Sequence, residues 1–325
     1  MKNRMRYYLA VAAVVIAAVI GVDKGTLSVL IREAVQMGEY AAEEEKQESR
    51  PEREESADGM DGNLDGGDGE LDPLTVTYID VGQGDSILLQ CGGHNMLIDA
   101  GKNDQGTKLQ DYFMSKGIEE FDYLVGTHPD EDHIGGLDVI ITKFPADHVL
   151  MPDIETDTRT YDDVILALEY RSMEAEHPEQ GDEFSLGDAT VTVVGPPEKE
   201  YDNKNNYSIM LMVQHGSQKF LFAGDGEREE ELDILESGMD VDADVLKAGH
   251  HGSSSSSSQE FLDAVSPEAV IISCGEDNSY GHPHQETMIK LRSMGVDVYR
   301  TDKEGTIVAE SDGSNITFNV PPSEW

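Results

Sequence analysis

The sequence predicts an α/β fold whose open sheet carries a metal site at its strand ends. Three observations predict it. Short apolar runs alternate with helical stretches through the second half of the chain. Three such runs end in residues that can bind a metal. Tyr123-Leu124-Val125 leads into Thr127-His128-Pro129-Asp130-Glu131-Asp132-His133, Phe220-Leu221-Phe222-Ala223 into Gly224-Asp225, and Val245-Leu246-Lys247-Ala248 into Gly249-His250-His251. Open sheets place their sites at the carboxyl ends of strands, and imidazole with carboxylate suits zinc and neighbouring transition metals. A Gly-Asp pair alone is usually a turn; the three clusters in this order are a strong signal together.

Taken in order, residues 1–23 read as a signal peptide or signal anchor. Lys2, Arg4 and Arg6 precede an apolar, uncharged run at 7–22. The run 9–22 is short for a stable span, and no cysteine follows it to carry a lipid. The basic flank places the rest of the chain outside the cytoplasm. The expected location is therefore the extracellular side of the cytoplasmic membrane, tethered through this segment or secreted. Residues 24–73 form an acidic linker: 24–37 has the pattern of a short amphipathic helix, and the Glu- and Asp/Gly-rich stretch after it offers too few apolar side chains to offset chain entropy.

From 74 to 325 the pattern is that of a folded domain. Strands are expected at 75–79, 86–90, 95–98, 123–125, 190–194, 209–213, 219–223, 244–248, 270–273 and 296–299, and helices at 108–116, 164–173, 227–237, 259–265 and 285–294. Gly135-Gly136 reads as a sharp turn after the first cluster, and the serine run 253–258 as a mobile loop beside the site.

Composition narrows the function. The 325 residues hold 66 acidic and 23 basic side chains, a formal net charge of −43. Such a surface repels polyanions, which excludes tight generic nucleic-acid binding without metal ions or a local basic patch. Cys91 and Cys274 are too few for a disulfide framework and are expected as buried free thiols.

The chain resembles the metallo-β-lactamase superfamily, and within it the soluble hydrolase-like domain of ComEC-type DNA-uptake proteins. The matching pieces are Tyr78-Ile79-Asp80-Val81-Gly82-Gln83-Gly84-Asp85-Ser86, Leu97-Ile98-Asp99-Ala100-Gly101, the His128 run, Asn206-Tyr207-Ser208, Gly224-Asp225, the His250 run and Asn278-Ser279-Tyr280-Gly281-His282-Pro283, over roughly residues 74–320. The resemblance implies a four-layer αβ/βα metallo-β-lactamase sandwich holding two metal ions. Two departures stand out. Asp130 occupies the place of the second histidine in the usual His-x-His-x-Asp-His run, and Asn203 to Ser208 offers no third-motif histidine. Fewer nitrogens loosen the zinc preference and admit manganese; the departures also argue against β-lactamase or glyoxalase activity.

The expected centre binds two divalent ions, Zn or Mn, about 3.5–4 Å apart, with a metal-bound water as nucleophile. His128 and Asp130 would hold one ion. Asp132, His133 and one of His250 and His251 would hold the other, because neighbours on extended backbone point to opposite sides; His250 is slightly favoured. Asp225 would bridge. By resemblance, Asp132 also orients the water. His282 is a candidate for stabilising the leaving group. Asp80, Gln83 and Asp85 would line the pocket or brace ligands, Asn206 and Ser208 would reach a phosphate or cap the next strand, and Asp99 would be a structural acceptor near the ligand loop. The expectation is an exported phosphodiesterase or nuclease acting on a phosphoester or nucleic acid, with no protein partner. The alternatives are an extracellular small-molecule or cell-wall phosphoesterase and a non-catalytic metal-binding module of the DNA-uptake type.

Overall fold

The computed structural model describes residues 71–324. The N-terminal apolar segment and the linker before residue 71 lie outside the described residues. The strands are β1 (Leu74–Tyr78), β2 (Ile87–Cys91), β3 (His94–Ile98), β4 (Phe121–Val125), β5 (Ala146–Leu150), β6 (Glu183–Leu186), β7 (Ala189–Gly195), β8 (Met210–His215), β9 (Gln218–Phe222), β10 (Val245–Lys247), β11 (Ala269–Ile272), β12 (Asp297–Arg300), β13 (Ile307–Ser311) and β14 (Ile316–Phe318). The helices are α1 (Gly106–Ser115), α2 (Glu131–Ile134), α3 (Leu137–Lys143), α4 (Arg159–Arg171), α5 (Arg228–Ser237), α6 (Gln259–Val265), α7 (Gln285–Met294) and α8 (Thr301–Glu304).

Two seven-stranded mixed sheets result, ordered β14-β13-β1-β2-β3-β4-β5 and β12-β11-β10-β9-β8-β7-β6. Pairing is parallel along β3-β4-β5 and β9-β10-β11-β12, and antiparallel elsewhere. The period-2 alternation of side chains builds the layers. Leu74, Val76, Tyr78, Ile87 and Leu89 of the first sheet meet Val191, Leu211, Phe220, Phe222 and Ile271 of the second in one apolar layer. The opposite faces pack outward: Leu88, Leu97 and Leu124 meet Leu109 and Phe113 of α1, Ile140 of α3 and Val164 of α4, while Leu221, Leu246 and Val270 meet Ile234 of α5, Phe261 of α6 and Leu291 of α7. Helix, sheet, sheet and helix are the four layers the sequence implied.

Within the described residues, every expected strand and helix is present with ends moved by a few residues. The sequence reading lacked β5, β6, β13, β14 and the helices α2, α3 and α8. Gly135-Gly136 does not make the expected sharp turn; it joins α2 to α3 with helical dihedrals. Glycine is needed there for closeness: a Cβ on Gly135 would lie 2.3 Å from the Asn103 nitrogen, and one on Gly136 2.4 Å from the Ala100 oxygen. The serine run lies beside the site but is packed down, with Ser256, Ser257 and Ser258 buried and Ser258 capping α6. Asp72, assigned to the linker by composition, is tied to the domain: its amide donates to Asp188 at 2.8 Å and its carbonyl meets the His215 ring at 3.0 Å. Cys91 and Cys274 are buried free thiols. No helix among the described residues is long and apolar enough to cross a membrane.

Helix α5 buries two acids. The Glu231 carboxylate accepts the Ser257 and Ser258 amides at 2.6 and 2.8 Å. Glu230 is fully buried and neither of its carboxyl oxygens has a hydrogen-bond partner. Burial first, then the charges of Glu231 and Asp233, raise its pKa well above the ordinary value. A raised acid pKa in the folded state means the native protein holds the proton more tightly, so stability falls as pH rises above the unfolded value. Glu230→Gln removes that loss. The variant is expected to melt at least about 2–4 °C above the parent at pH 8, with the gain shrinking toward zero at pH 5. A pH-independent difference in calorimetric melts would contradict this account.

Candidate metal centre

The carboxyl ends of β3, β4, β9, β10 and β11 converge, and the sequence-predicted metal residues converge with them. At the centre is Asp225, buried on the turn after β9, where Gly224 takes a φ of +51°. His133 Nε2 lies 3.1 Å from Asp225 Oδ1, and His251 Nε2 lies 3.6 Å from the same oxygen. On the other oxygen, Oδ2, His250 Nε2 is at 3.6 Å and His128 Nε2 at 3.9 Å. Two imidazoles therefore face each carboxylate oxygen.

The far sides of the four rings explain this orientation. His133 Nδ1 donates to Asp99 Oδ2 at 2.7 Å. His251 Nδ1 donates to the Ser273 carbonyl at 3.0 Å. His250 Nδ1 lies 3.3 Å from Glu227 Oε1. His128 Nδ1 is 3.2 Å from Thr127 Oγ1, a hydroxyl whose own proton goes to Asp99 Oδ2 at 2.7 Å, leaving its lone pairs to accept. With every Nδ1 turned to an acceptor, every Nε2 faces inward, where its lone pair is free for a metal once any proton on it has left, which is how imidazoles are held as metal ligands. His128 Nε2 and Asp225 Oδ1 are buried without a hydrogen bond, and the His133 and His251 Nε2 atoms face each other at 3.3 Å. Orphaned inward lone pairs on imidazole and carboxylate fit divalent cations. Asp85, His133, Asp225 and His251 each bring one ligand atom within 4.8 Å of the others, all four buried.

Asp130 and Asp132 flank the two halves. Asp130 Oδ2 lies 3.9 Å from His128 Nε2, and its other oxygen pairs with Lys204. Asp132 Oδ2 lies 3.5 Å from His251 Nε2. The donors thus sort into His128, Asp130 and His250 around one side of Asp225, and Asp132, His133 and His251 around the other. The expected extended backbone at His250-His251 is not what occurs. Both residues have positive φ, 50° and 54°, and this left-handed pair lets both rings approach Asp225 rather than one alone. His251 is the more deeply buried of the two.

The remaining candidates fall around this cluster. Asp85 is buried against Lys247 Nζ at 2.7 Å, and its free oxygen lies 3.5 Å from His251 Nδ1. Gln83 holds His282: its Oε1 accepts the Gly275 amide at 3.2 Å, which fixes the amide so that Nε2 donates to His282 Nδ1 at 3.5 Å. His282 then carries its proton on Nε2. Ser208 Oγ accepts the Asp225 amide at 3.0 Å, and Asn206 Oδ1 accepts the Glu227 amide at 3.0 Å, so both brace the Asp225 turn. Asp80 is not brought into the cluster; it is exposed, and its carboxylate accepts the Gly82 amide at 3.0 Å. Sequence reasoning missed Lys247, Lys204, Thr127 and Glu227. Lys247 had a legible signal, a cation inside an apolar strand that needs a buried partner.

Charges are tightly coupled. Burial opposes a positive His251, but Asp225 and hydrogen bonds to Asp132 and Asp85 outweigh it and raise its pKa to about 9. The same contest, with Asp225 and Asp99 as partners, raises His133 well above the ordinary value. Burial, then repulsion from His133, lowers His128 to about 4. Burial would raise Asp132, but the His251 hydrogen bond and the His133 charge hold it at about 2.

A family model described as the metallo-beta-lactamase superfamily matches residues 79–276. ComE operon protein 3 of Bacillus subtilis is 31% identical over 265 residues, 76% of this chain and 34% of that protein. Competence protein ComA of Neisseria gonorrhoeae is 30% identical over 236 residues, 71% of this chain and 31% of that protein. The chain thus spans about a third of the length of these curated relatives. The metallo-beta-lactamase fold protein YhfI from Bacillus subtilis superposes with a TM-score of 0.50 at 14% identity, covering 74% of this chain and 100% of that one, a likeness of fold.

Asp99 is the support whose removal is cleanest to test, because Asn tolerates its φ of +60°. Asp99→Asn is expected to weaken divalent-metal affinity roughly 10- to 100-fold, read by competition with a chelating dye, with an unchanged circular dichroism spectrum. Unaltered affinity would remove Asp99 from the account.

Proposed function

The chain belongs to the metallo-beta-lactamase superfamily, and from that premise we propose that it is an exported, metal-dependent phosphodiesterase of the nuclease kind. The observation that carries the reading is the Asp225 carboxylate faced by two inward imidazole nitrogens on each oxygen. The competence name of the Neisseria relative supports a nucleic-acid substrate. Export is supported by Lys2, Arg4 and Arg6 before the apolar run 7–22. Asp130 in place of an imidazole supports Zn or Mn rather than zinc alone.

Bound cations would polarise a phosphoryl oxygen and acidify water. His128, Asp130 and His250 would hold one, Asp132, His133 and His251 the other, and Asp225 both. The chain's own residues do the rest. With its pKa held at about 2 by His251 and His133 against the effect of burial, Asp132 is too weak a base to keep a proton. It orients the attacking water by accepting its hydrogen bond. His282 is neutral at pH 7: burial first, then the charges of His251 and His250, lower its pKa to about 4. Its Nε2–H is a donor suited to the oxygen that leaves.

The metal-loaded chain is expected to cleave bis-p-nitrophenyl phosphate and an oligodeoxynucleotide, and to leave a β-lactam intact. Cleavage of phosphorylcholine esters without nucleic acid would move the assignment to a cell-wall phosphoesterase, and tight metal binding with no turnover to a binding module. His282→Ala should slow cleavage of a dinucleotide by about 10²-fold or more. It should slow bis-p-nitrophenyl phosphate less than about 10-fold, because that leaving group needs no proton donor. Equal losses on both substrates would remove His282 from this role.

A further inference from the structure

Tyr280 lies beyond the residues that the superfamily match covers, 79–276, and has no part in the metal cluster. The residue is nevertheless 59% exposed, on the loop that carries His282. The loop is stapled by one side chain. Asn278 Nδ2 donates to the Gly275 and His282 carbonyls at 2.9 and 2.7 Å, and Asn278 Oδ1 accepts the His282 amide at 3.0 Å. The Tyr280 carbonyl is held as well, 3.2 Å from His284 Nε2. An exposed aromatic on so braced a backbone needs little ordering when a ligand arrives.

The position of the ring gives it a use. Tyr280 stacks on His282 with centroids 5.6 Å apart and planes at 21°. His282 in turn lies 5.4 Å from the His250 ring, which faces Asp225. One face of Tyr280 is thus turned to His282, and the residue stays largely exposed two ring contacts from the metal centre. Electrostatics favours a contact of this kind. The net charge of −43 works against groove-wide attraction of a polyanion, and two cations beside the cluster are committed, Lys247 to Asp85 and Lys204 to Asp130. A polyanion then needs short-range affinity that does not depend on charge, and base stacking on an aromatic supplies it for any sequence.

We infer that Tyr280 is a stacking platform for an unpaired base adjoining the phosphodiester at the metal centre, which makes single-stranded nucleic acid the preferred substrate. This rests on the phosphodiesterase reading and names its substrate class. A base within a duplex is stacked on both faces and cannot take the position, so strands, ends and loops are favoured.

The test uses the full chain loaded with Mn²⁺ and two oligodeoxynucleotides of equal length, one ordinary and one abasic, the second keeping every phosphodiester. Turnover is measured on the parent, Tyr280→Ala and Tyr280→Phe. Binding is measured by anisotropy of the same labelled strands, with phosphorothioate linkages to slow cleavage, on the Mn²⁺-loaded chain. Tyr280→Ala should weaken binding and raise KM on the ordinary strand roughly 5- to 100-fold. It should change the abasic strand less than about two-fold, and Tyr280→Phe should restore the parent value. Equal effects on the two strands, or none on the ordinary strand, overturn the inference. If the parent cleaves no phosphodiester, the hydrolytic reading fails while the anisotropy comparison still decides Tyr280. If the Mn²⁺-loaded parent binds neither strand, the platform itself is refuted.

Discussion

The structure of the site depends on one constraint: four imidazoles are tethered at Nδ1 so that their Nε2 lone pairs meet at a single buried carboxylate. Asp99, Ser273, Glu227 and Thr127 provide the tethers. Nitrogens that face one another with unshared electrons repel, and a buried carboxylate oxygen without a hydrogen bond is costly. Something positive must fill the space. Without a metal ion, protons do so, which is the physical content of the raised His133 and His251 pKa values. Divalent cations would replace those protons, so metal affinity and proton release would be coupled. Lys247 supplies the fixed part of the balance by neutralising Asp85, which leaves the cluster to the cations.

The fold makes such crowding affordable by spreading the donors over two sheets. His128, Asp130, Asp132 and His133 follow β4 of the first sheet, while Asp225, His250 and His251 follow β9 and β10 of the second. The apolar layer between the sheets fixes their separation, and dense packing leaves it little freedom to adjust. Backbone contacts lock the loops to each other: the Asp85 amide donates to the Asp132 carbonyl at 3.1 Å, and the Ala100 amide to the His133 carbonyl at 2.7 Å. These approaches require glycine. A Cβ on Gly84 would lie 2.4 Å from the Asp132 oxygen, and the residue's φ is +142°. The loop that carries Asp130, Asp132 and His133 is therefore positioned by a residue that has no side chain.

The chemistry-bearing residues were legible in the sequence because each cluster is local and follows an apolar run. Strand ends announce themselves by the switch from Leu, Val and Phe to Gly, Asp and His. Long-range partnerships were not legible. Nothing local ties Lys247 to Asp85, 162 positions away in the chain, or Lys204 to Asp130. The His250-His251 backbone was misjudged because extended geometry is the default after a strand, whereas a tight turn between Gly249 and Gly252 imposes positive φ on both. The strands β13 and β14 went unread although Asp312-Gly313 is a hairpin signal between two short runs. Strand β5 hid because Asp147 and His148 break its apolar pattern.

The acidic composition and a polyanionic substrate are compatible once the range of each force is considered. Exposed charges are screened over about 8–10 Å at physiological ionic strength, so the distant acids of the chain contribute little to the field inside a cleft. What a phosphate meets there is set by groups within contact distance. Before metal loading, Asp85, Asp99, Asp132 and Asp225 are opposed by Lys247 and by protons on His133 and His251. Each divalent cation that displaced a proton would add net positive charge to a volume walled by buried side chains, where the low dielectric magnifies it. The surface charge then acts as a filter rather than a barrier. It discourages loose, groove-wide association, and on the proposed reading binding would be decided where cations and the Tyr280 ring act together on one nucleotide.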